Sequence, residues 1–213
     1  MRARPIDPSE LSPANTPLQS YLWAQVKENL GIPPLAFRLE EGHGIDLTLL
    51  ALIRHHTTGE GFAYIPWPEY GYVRPEERGN LLEESAEQLA PHLPDECRFI
   101  RFDLPWETPY EAGEDSGEFA TADGRPPQRI RELRMNFGTR EKRLRKAPTD
   151  VQPADTILLD LRKSSDRLLQ EMKPKTRYNI RLSQRRGIVV RDEPHERIGE
   201  WYEMYRETAR RKG

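Results

Sequence analysis

From residue 156 onward the sequence offers two strand-like runs against three helical ones, and this imbalance limits what the chain can build. Residues 156–161 (TILLDL) and 188–191 (IVVR) are the extended apolar runs of this block. Two strands do not make a stable sheet in water. The block is therefore expected to be a fragment, or to be completed by another chain. Its helices are clearly signalled. Ser164 or Ser165 caps one that runs through Met172, and Pro174 sits in the first turn of the next, which ends at Arg186 before Gly187. Residues 196–211 place Ile198, Trp201, Tyr202, Tyr205 and Ala209 at helical spacing, and this set is expected to face inward. With so few strands to cover, the block is also expected to expose apolar surface and self-associate.

The preceding block carries more of a sheet. Residues 16–30 predict a helix with Leu18, Tyr21, Leu22, Val26 and Leu30 on one stripe, stopped at Gly31. Strands are predicted over 35–40 and 46–53, flanking a turn at 41–44, and over 61–65. Residues 80–93 predict a helix capped by Asn80, with Glu83 at its third position and Leu81, Leu82, Ala86, Leu89 and Leu93 inward. A strand over 99–104 turns Ile100, Phe102 and Leu104 to one face and Phe99, Arg101 and Asp103 to the other. The chain thus reads as mixed α/β in two blocks, 1–150 and 151–213, with residues 152–155 as a linker.

Charge is balanced overall, 33 Lys+Arg against 35 Asp+Glu, which excludes a globally basic nucleic-acid coat. Locally it is not balanced. Residues 106–124 hold six acids and no base, with Pro109 and three glycines, and read as an exposed loop. Residues 125–146 then hold nine bases, and residues 173–191 a further seven. Such fields attract phosphates. For any single arginine a solvated helix face is the better reading; the two runs together favour a polyanion partner.

The chemistry left out is also informative. No apolar run reaches the roughly 18 residues that a spanning helix needs, and the N-terminus lacks the apolar region of a secretory signal. The single Cys97 fits a reducing cytoplasm. His43, His55, His56, His92 and His195 show no chelating spacing, and there is no phosphate-cradling G-x-x-x-x-G-K-[ST] loop and no G-x-S-x-G elbow. No metal and no organic cofactor is expected.

Several runs resemble the FemABX family: T-I-L-L-D-L from Thr156, E-M-K-P-K-T-R-Y-N-I from Glu171, G-I-V-V from Gly187, and W-Y-E-M-Y-R-E-T-A-R-R-K-G from Trp201. W-A-Q-V-K from Trp23 and Y-I-P-W-P from Tyr64 resemble it as well. The M-K-P-K-T-R-Y-N-I run is the specific one, and the likeness spans nearly the whole chain. The resemblance implies tandem acetyltransferase-like (GNAT) domains, the second incomplete here. It implies an aminoacyltransferase that moves an amino acid from aminoacyl-tRNA to the stem-peptide amine of a UDP-linked or lipid-linked muropeptide, in cell-wall cross-bridge synthesis. The location implied is cytoplasmic, with room for a peripheral membrane contact. The alternatives are a non-catalytic module that binds tRNA or precursor, and a GNAT-like transferase acting on another amine.

The same resemblance assigns candidate roles. Lys27, a solvated helix lysine by spacing alone, matches a precursor-phosphate ligand. Arg211 matches the arginine of a T-A-x-R-x-G pattern and would grip the same diphosphate; Arg210 is the alternative register. Asp103 matches an acid at a strand end and would orient or deprotonate the acceptor amine, although a strand-end aspartate that caps the next turn reads equally well. Arg177 is a candidate phosphate contact for precursor or tRNA. Tyr178 is counted with the substrate-binding set, but its residue type reads more simply as packing its helix on the sheet. Arg129, Arg134, Arg140, Lys142 and Arg143 are the candidate tRNA contacts, on a short basic helix interrupted at Asn136-Phe-Gly138.

Overall fold

The computed structural model describes residues 1–13, 15–40, 46–55, 59–106, 127–153 and 159–212. They fall into two compact units, Met1–Ala154 and Asp155–Gly213.

The first unit is built on a five-stranded mixed sheet in the order β1-β2-β3-β4-β5. β1 (Arg2–Ile6), β2 (Pro34–Glu40), β3 (Asp46–His55) and β4 (Gly61–Pro66) are successively antiparallel, and β5 (Cys97–Asp103) returns parallel to β4. β1 lies in a stretch for which the sequence predicted no strand; its register, Arg2 opposite Glu40 to Ile6 opposite Ala36, comes from pairing with β2. The turn expected at 41–44 and the acidic loop from 107 onward lie outside the described residues.

The sheet is buried on both faces. Along β3, Leu49 and Ala51 join one core with Phe37, Leu39, Ile65, Leu82 and Leu89, while Leu50 and Leu52 join a second with Leu11, Ala24, Ala36 and Tyr64. Strand side chains alternate sides, so an uninterrupted apolar run such as LLALI over residues 49–53 fits a strand covered on both faces. Ile100, Phe102 and Leu104 pack on the first core, as their alternation predicts.

Helix α1 (Tyr21–Asn29) contributes to the second core and helix α2 (Arg78–Leu89) to the first. α1 corrects the sequence reading twice. The predicted helix is split, because residues 17–19 form a separate 3-10 turn and Ser20 caps α1 by accepting from the Trp23 N–H at 3.2 Å. The buried Gln19 side chain fixes this break. It accepts from Leu50 N–H at 2.8 Å and donates to the Leu50 and Pro66 carbonyls at 3.3 and 2.5 Å. The inward face is also different. Trp23 and Ala24 meet the core, whereas Tyr21, Leu22, Val26 and Leu30 are exposed, Leu22 by 68%.

α2 begins two residues earlier than predicted. Asn80 lies inside it, and Glu77 occupies the capping position without a side-chain bond. Glu83 accepts instead from the backbone N–H groups of Arg140 and Glu141, at 2.7 and 2.8 Å. These bonds dock the segment after helix α3 (Gln128–Met135) onto α2. Gly79 permits the close approach, since a Cβ there would stand 2.2 Å from the Met135 carbonyl oxygen.

The second unit has helices α4 (Ser165–Glu171), α5 (Pro174–Arg185) and α6 (Ile198–Lys212). Ser164 caps α4, Pro174 opens α5, and Gly187 follows α5 with φ +73, a left-handed conformation that suits glycine. The strand predicted over 188–191 is absent: Ile188, Val189 and Val190 are exposed, Val190 by 93%. An extended run needs a neighbouring strand for its backbone groups; no described strand pairs with it, and the Ile188 N–H instead donates back to the Ser183 carbonyl at the end of α5, at 3.1 Å. The first half of the strand predicted over 156–161 lies outside the described residues, and its last three residues are not strand. The inward face predicted for α6 is likewise corrected. Ile198, Trp201, Tyr202, Tyr205 and Ala209 are all exposed, Trp201 by 58%. None of the described residues of this unit is buried.

Two outcomes test the docking on α2. Gly79→Ala is expected to cost about 1–3 kcal/mol in urea denaturation, because the clash is with backbone that cannot rotate away. For Glu83, burial raises the carboxyl, but the N–H groups of Arg140 and Glu141 and the Arg140 charge outweigh it, so the group titrates below its ordinary value of 4.5. A lowered folded value stabilises above the unfolded value, and that contribution is lost as pH falls through the folded one. Stability is expected to decline on acidification below about pH 4.5, and Glu83→Gln to be less stable at pH 7 with a shallower acid decline.

Candidate functional site

The parallel pair β4/β5 ends in a polar cluster centred on Asp103. Its Oδ2 accepts from the Tyr64 hydroxyl at 2.9 Å and from the Gln152 backbone N–H at 3.1 Å, and its Oδ1 from Arg101 Nε at 3.3 Å. The Gln152 side chain donates to the Tyr64 hydroxyl at 3.2 Å, and the Arg101 guanidinium donates to the Thr149 carbonyl. The cluster therefore fastens residues 149–152 across the ends of both strands. Burial pushes the Tyr64 hydroxyl up to about 12; the Gln152 donor pulls it down, and the Asp103 carboxylate pushes it further up. Tyr64 is thus a neutral donor across the physiological range.

Backbone strain lies next to this cluster. Trp67, just past β4, has φ +47, and its N–H donates to the Asp103 carbonyl at 2.7 Å. A non-glycine residue held in this region costs of the order of 1–3 kcal/mol and persists where its surroundings over-determine it. Here those surroundings include the bond to Asp103 and the buried Pro66 and Pro68 on either side. The Y-I-P-W-P run singled out in the sequence thus forms one wall of the cluster. The alternative reading put Asp103 as the cap of the turn that follows its strand; its carboxylate instead bonds Gln152, 49 residues further on, together with Tyr64 and Arg101. Its partner Gln152 was not legible, since nothing in a polar linker marks one glutamine as an anchor.

The other candidates are placed as follows. Lys27 sits in the last turn of α1, half-buried, with its ammonium 4.3 Å from the centre of the Trp23 ring. The W-x-x-x-K spacing is what stacks them, since residues i and i+4 share a helix face. Arg211 is exposed in the last turn of α6, its Nη2 3.4 Å from Thr208 Oγ1.

Arg177 Nη1 donates to the carbonyls of Leu169, Gln170 and Met172 at 3.2, 2.8 and 3.4 Å, capping the C-terminal end of α4. This bond set gives the M-K-P-K-T-R run a local structural role: Pro174 turns the chain and Arg177 ties the corner. Tyr178 does not pack α5 on a sheet. It is 57% exposed, with the Arg185 guanidinium 6.0 Å from its ring centre.

The basic helix expected over 129–146 ends early, with α3 stopping before Asn136. The Asn136 side chain bonds Leu144 in both directions, accepting from its N–H at 3.0 Å and donating to its carbonyl at 2.9 Å. Arg140 pairs with Glu87, and Arg143 with Glu141 at 3.1 Å. Arg129, Arg134 and Lys142 are exposed, Lys142 with φ +53. Among the described residues no group of His, Cys, Asp and Glu could hold a metal ion, and no helix is long and apolar enough to cross a membrane.

Removing the Asp103 carboxylate takes the acceptor from the Tyr64 hydroxyl, the Gln152 amide and Arg101 Nε. Asp103→Ala is expected to cost about 1–3 kcal/mol and to speed hydrogen exchange at the Gln152 amide at least tenfold. Unchanged exchange at Gln152 would show that the cluster does not hold the segment.

With the geometry in place, comparison with known proteins adds one match. The model of the FemAB family matches residues 12–213, which takes in both units. Neither a curated protein nor a solved structure matches the chain.

Proposed function

We infer the function from this premise: the chain belongs to the FemAB family, whose members are transferases of peptidoglycan cross-bridge synthesis. The reading for this chain is transfer of an amino acid from aminoacyl-tRNA to the stem-peptide amine of a muropeptide precursor, UDP-linked or lipid-linked. The observation that carries it is the extent of the family match, from residue 12 to residue 213. The two units then correspond to two acetyltransferase-like domains. A mixed sheet with a parallel β4/β5 pair supports this for the first. For the second, three helices without a strand among the described residues are in keeping with the helical part of such a domain.

The reaction is aminolysis of an ester. The amine nitrogen attacks the ester carbonyl carbon, a C–N bond forms, and the C–O bond to the ribose breaks. The proton lost by the amine ends on the ribose oxygen. Because the ester is already activated, holding amine and carbonyl in contact supplies much of the acceleration. Lys27, in the first unit, is assigned as a point charge for precursor phosphate, and Arg211, in the second, as a planar fork for phosphate. Asp103 is assigned to orienting the acceptor amine. Three donors already engage its carboxylate, and this favours positioning over acceptance of the proton. Arg129, Arg134, Arg140, Lys142 and Arg143 remain candidates for the tRNA backbone.

A second reading, binding without turnover, draws support from the second unit, none of whose described residues is buried. Catalysis needs rigidly held groups, and binding through charge does not.

The test is incorporation of a labelled amino acid from a charged tRNA pool into a UDP-linked muropeptide by the protein as encoded. Lys27→Met and Arg211→Met are each expected to raise the precursor Kd about 10- to 100-fold, the effect of losing one charge-assisted phosphate contact. Transfer that is unaffected by either change would overturn their assignment. Precursor or tRNA binding with no transfer from any charged pool would establish the second reading.

A further inference from the structure

We propose that the face of α5 bearing Arg177, Arg181 and Arg185 is an RNA-backbone-binding surface and the main electrostatic contact for the tRNA. The choice of tRNA among RNAs rests on the transferase reading; the surface itself does not.

α5 contains no acidic residue between Pro174 and Arg185. Its three arginines are four residues apart, so each is displaced from the last by about 6 Å along the axis and 40° around it. They form a single row. Pro174, Tyr178 and Gln184 complete a shallow concavity with them. Arg181 and Arg185 are exposed and have no acidic partner among the described residues. Arg177 is held at the edge of the row by the α4 carbonyls, so its position is set before any ligand arrives.

The aromatic in the middle of the row points to RNA. Tyr178 stands exposed with a guanidinium beside its ring. Forked cations that track a phosphate backbone, with an aromatic face for an unpaired base, are the combination by which single-stranded segments are held. An anionic membrane would ask for an apolar stripe next to the bases. The apolar residues of α5, Ile180 and Leu182, are instead half-buried within the unit.

The 129–146 segment compares poorly as the main contact. Arg140 pairs with Glu87, Arg143 with Glu141 and Lys146 with Asp150, while two of its backbone N–H groups are taken by Glu83. A cation already paired with a carboxylate must release it before it gains a phosphate.

The experiment measures binding of labelled bulk tRNA to the whole chain by fluorescence anisotropy between 50 and 200 mM salt. Arg181→Ala/Arg185→Ala is expected to weaken binding about tenfold or more at the low-salt end. It is also expected to lower the slope of log K against log salt by about 1.4–1.8, two phosphate contacts' worth. Arg181→Lys/Arg185→Lys is expected to keep most of that slope, which separates lost charge from lost folding. Tyr178→Ala is expected to weaken binding about fivefold or more with little change in slope. Arg129→Ala/Arg134→Ala is the comparison and is expected to change the slope less. Equal losses in the two alanine pairs would overturn the proposal. So would loss of binding to phosphatidylglycerol vesicles in the α5 pair while tRNA binding stays intact, which would assign the face to a membrane surface. A protein that binds tRNA through α5 yet transfers nothing keeps this surface and removes the transferase reading. A protein that transfers normally with the α5 pair changed, at limiting tRNA, does the reverse.

Discussion

A sheet that is apolar on both faces has to be covered twice, and the first unit is organised around that requirement. β3 sends Leu49 and Ala51 to one side and Leu50 and Leu52 to the other. Chain on each side must therefore bring apolar surface to it: α2 with Leu82 and Leu89, and α1 with Trp23 and Ala24. The second unit shows the same rule from the other direction. Its helices have apolar residues at helical spacing but no strand among the described residues to set them against, and Trp201, Tyr202 and Tyr205 remain in solvent. Ring stacking of Trp201 and Tyr202 on Tyr205 within α6 removes little of that surface.

Apolar burial says which face goes inward but not where a segment stops along it. In the first unit that is fixed by buried or half-buried side chains that bond the backbone of distant chain: Gln19 to Leu50 and Pro66, Glu83 to Arg140 and Glu141, Asp103 to Gln152. Each answers backbone groups that would otherwise be left without a partner, so each is costly to remove and specific in position. Asp103 is unusual among the three because it stands at the end of the parallel pair, beside the strained Trp67. A carboxylate held in this way is well suited to orienting a ligand, since its own orientation is already set.

Much of the chain was legible because its signals are local. β2, β3, β4 and β5 declare themselves by apolar runs between turn residues, and α4 and α5 by Ser164 and Pro174. The misses have physical causes. β1 has no apolar run of its own and exists through pairing with β2. The stripe Tyr21, Leu22, Val26 and Leu30 has helical rhythm but faces solvent, because Gln19 sets the entry to α1 and turns Trp23 inward. Glu83 stood where a capping glutamate would, and the structure uses it on a segment 57 residues away. In the candidate site, the W-x-x-x-K and M-K-P-K-T-R runs were visible as patterns. Their local work, a cation over an indole and an arginine closing a helix corner, was not.

The sequence by itself determined the α/β class, the helices and strands with strong local signals, the two concentrations of positive charge, and the family. Tertiary structure decided which of those charges are already paired, which side of α1 meets the sheet, and that Asp103 is joined to Gln152. The division follows from range. Periodicity, caps and charge runs are set by neighbours within a few residues, whereas ion pairs and buried hydrogen bonds depend on residues brought together only when the chain has folded.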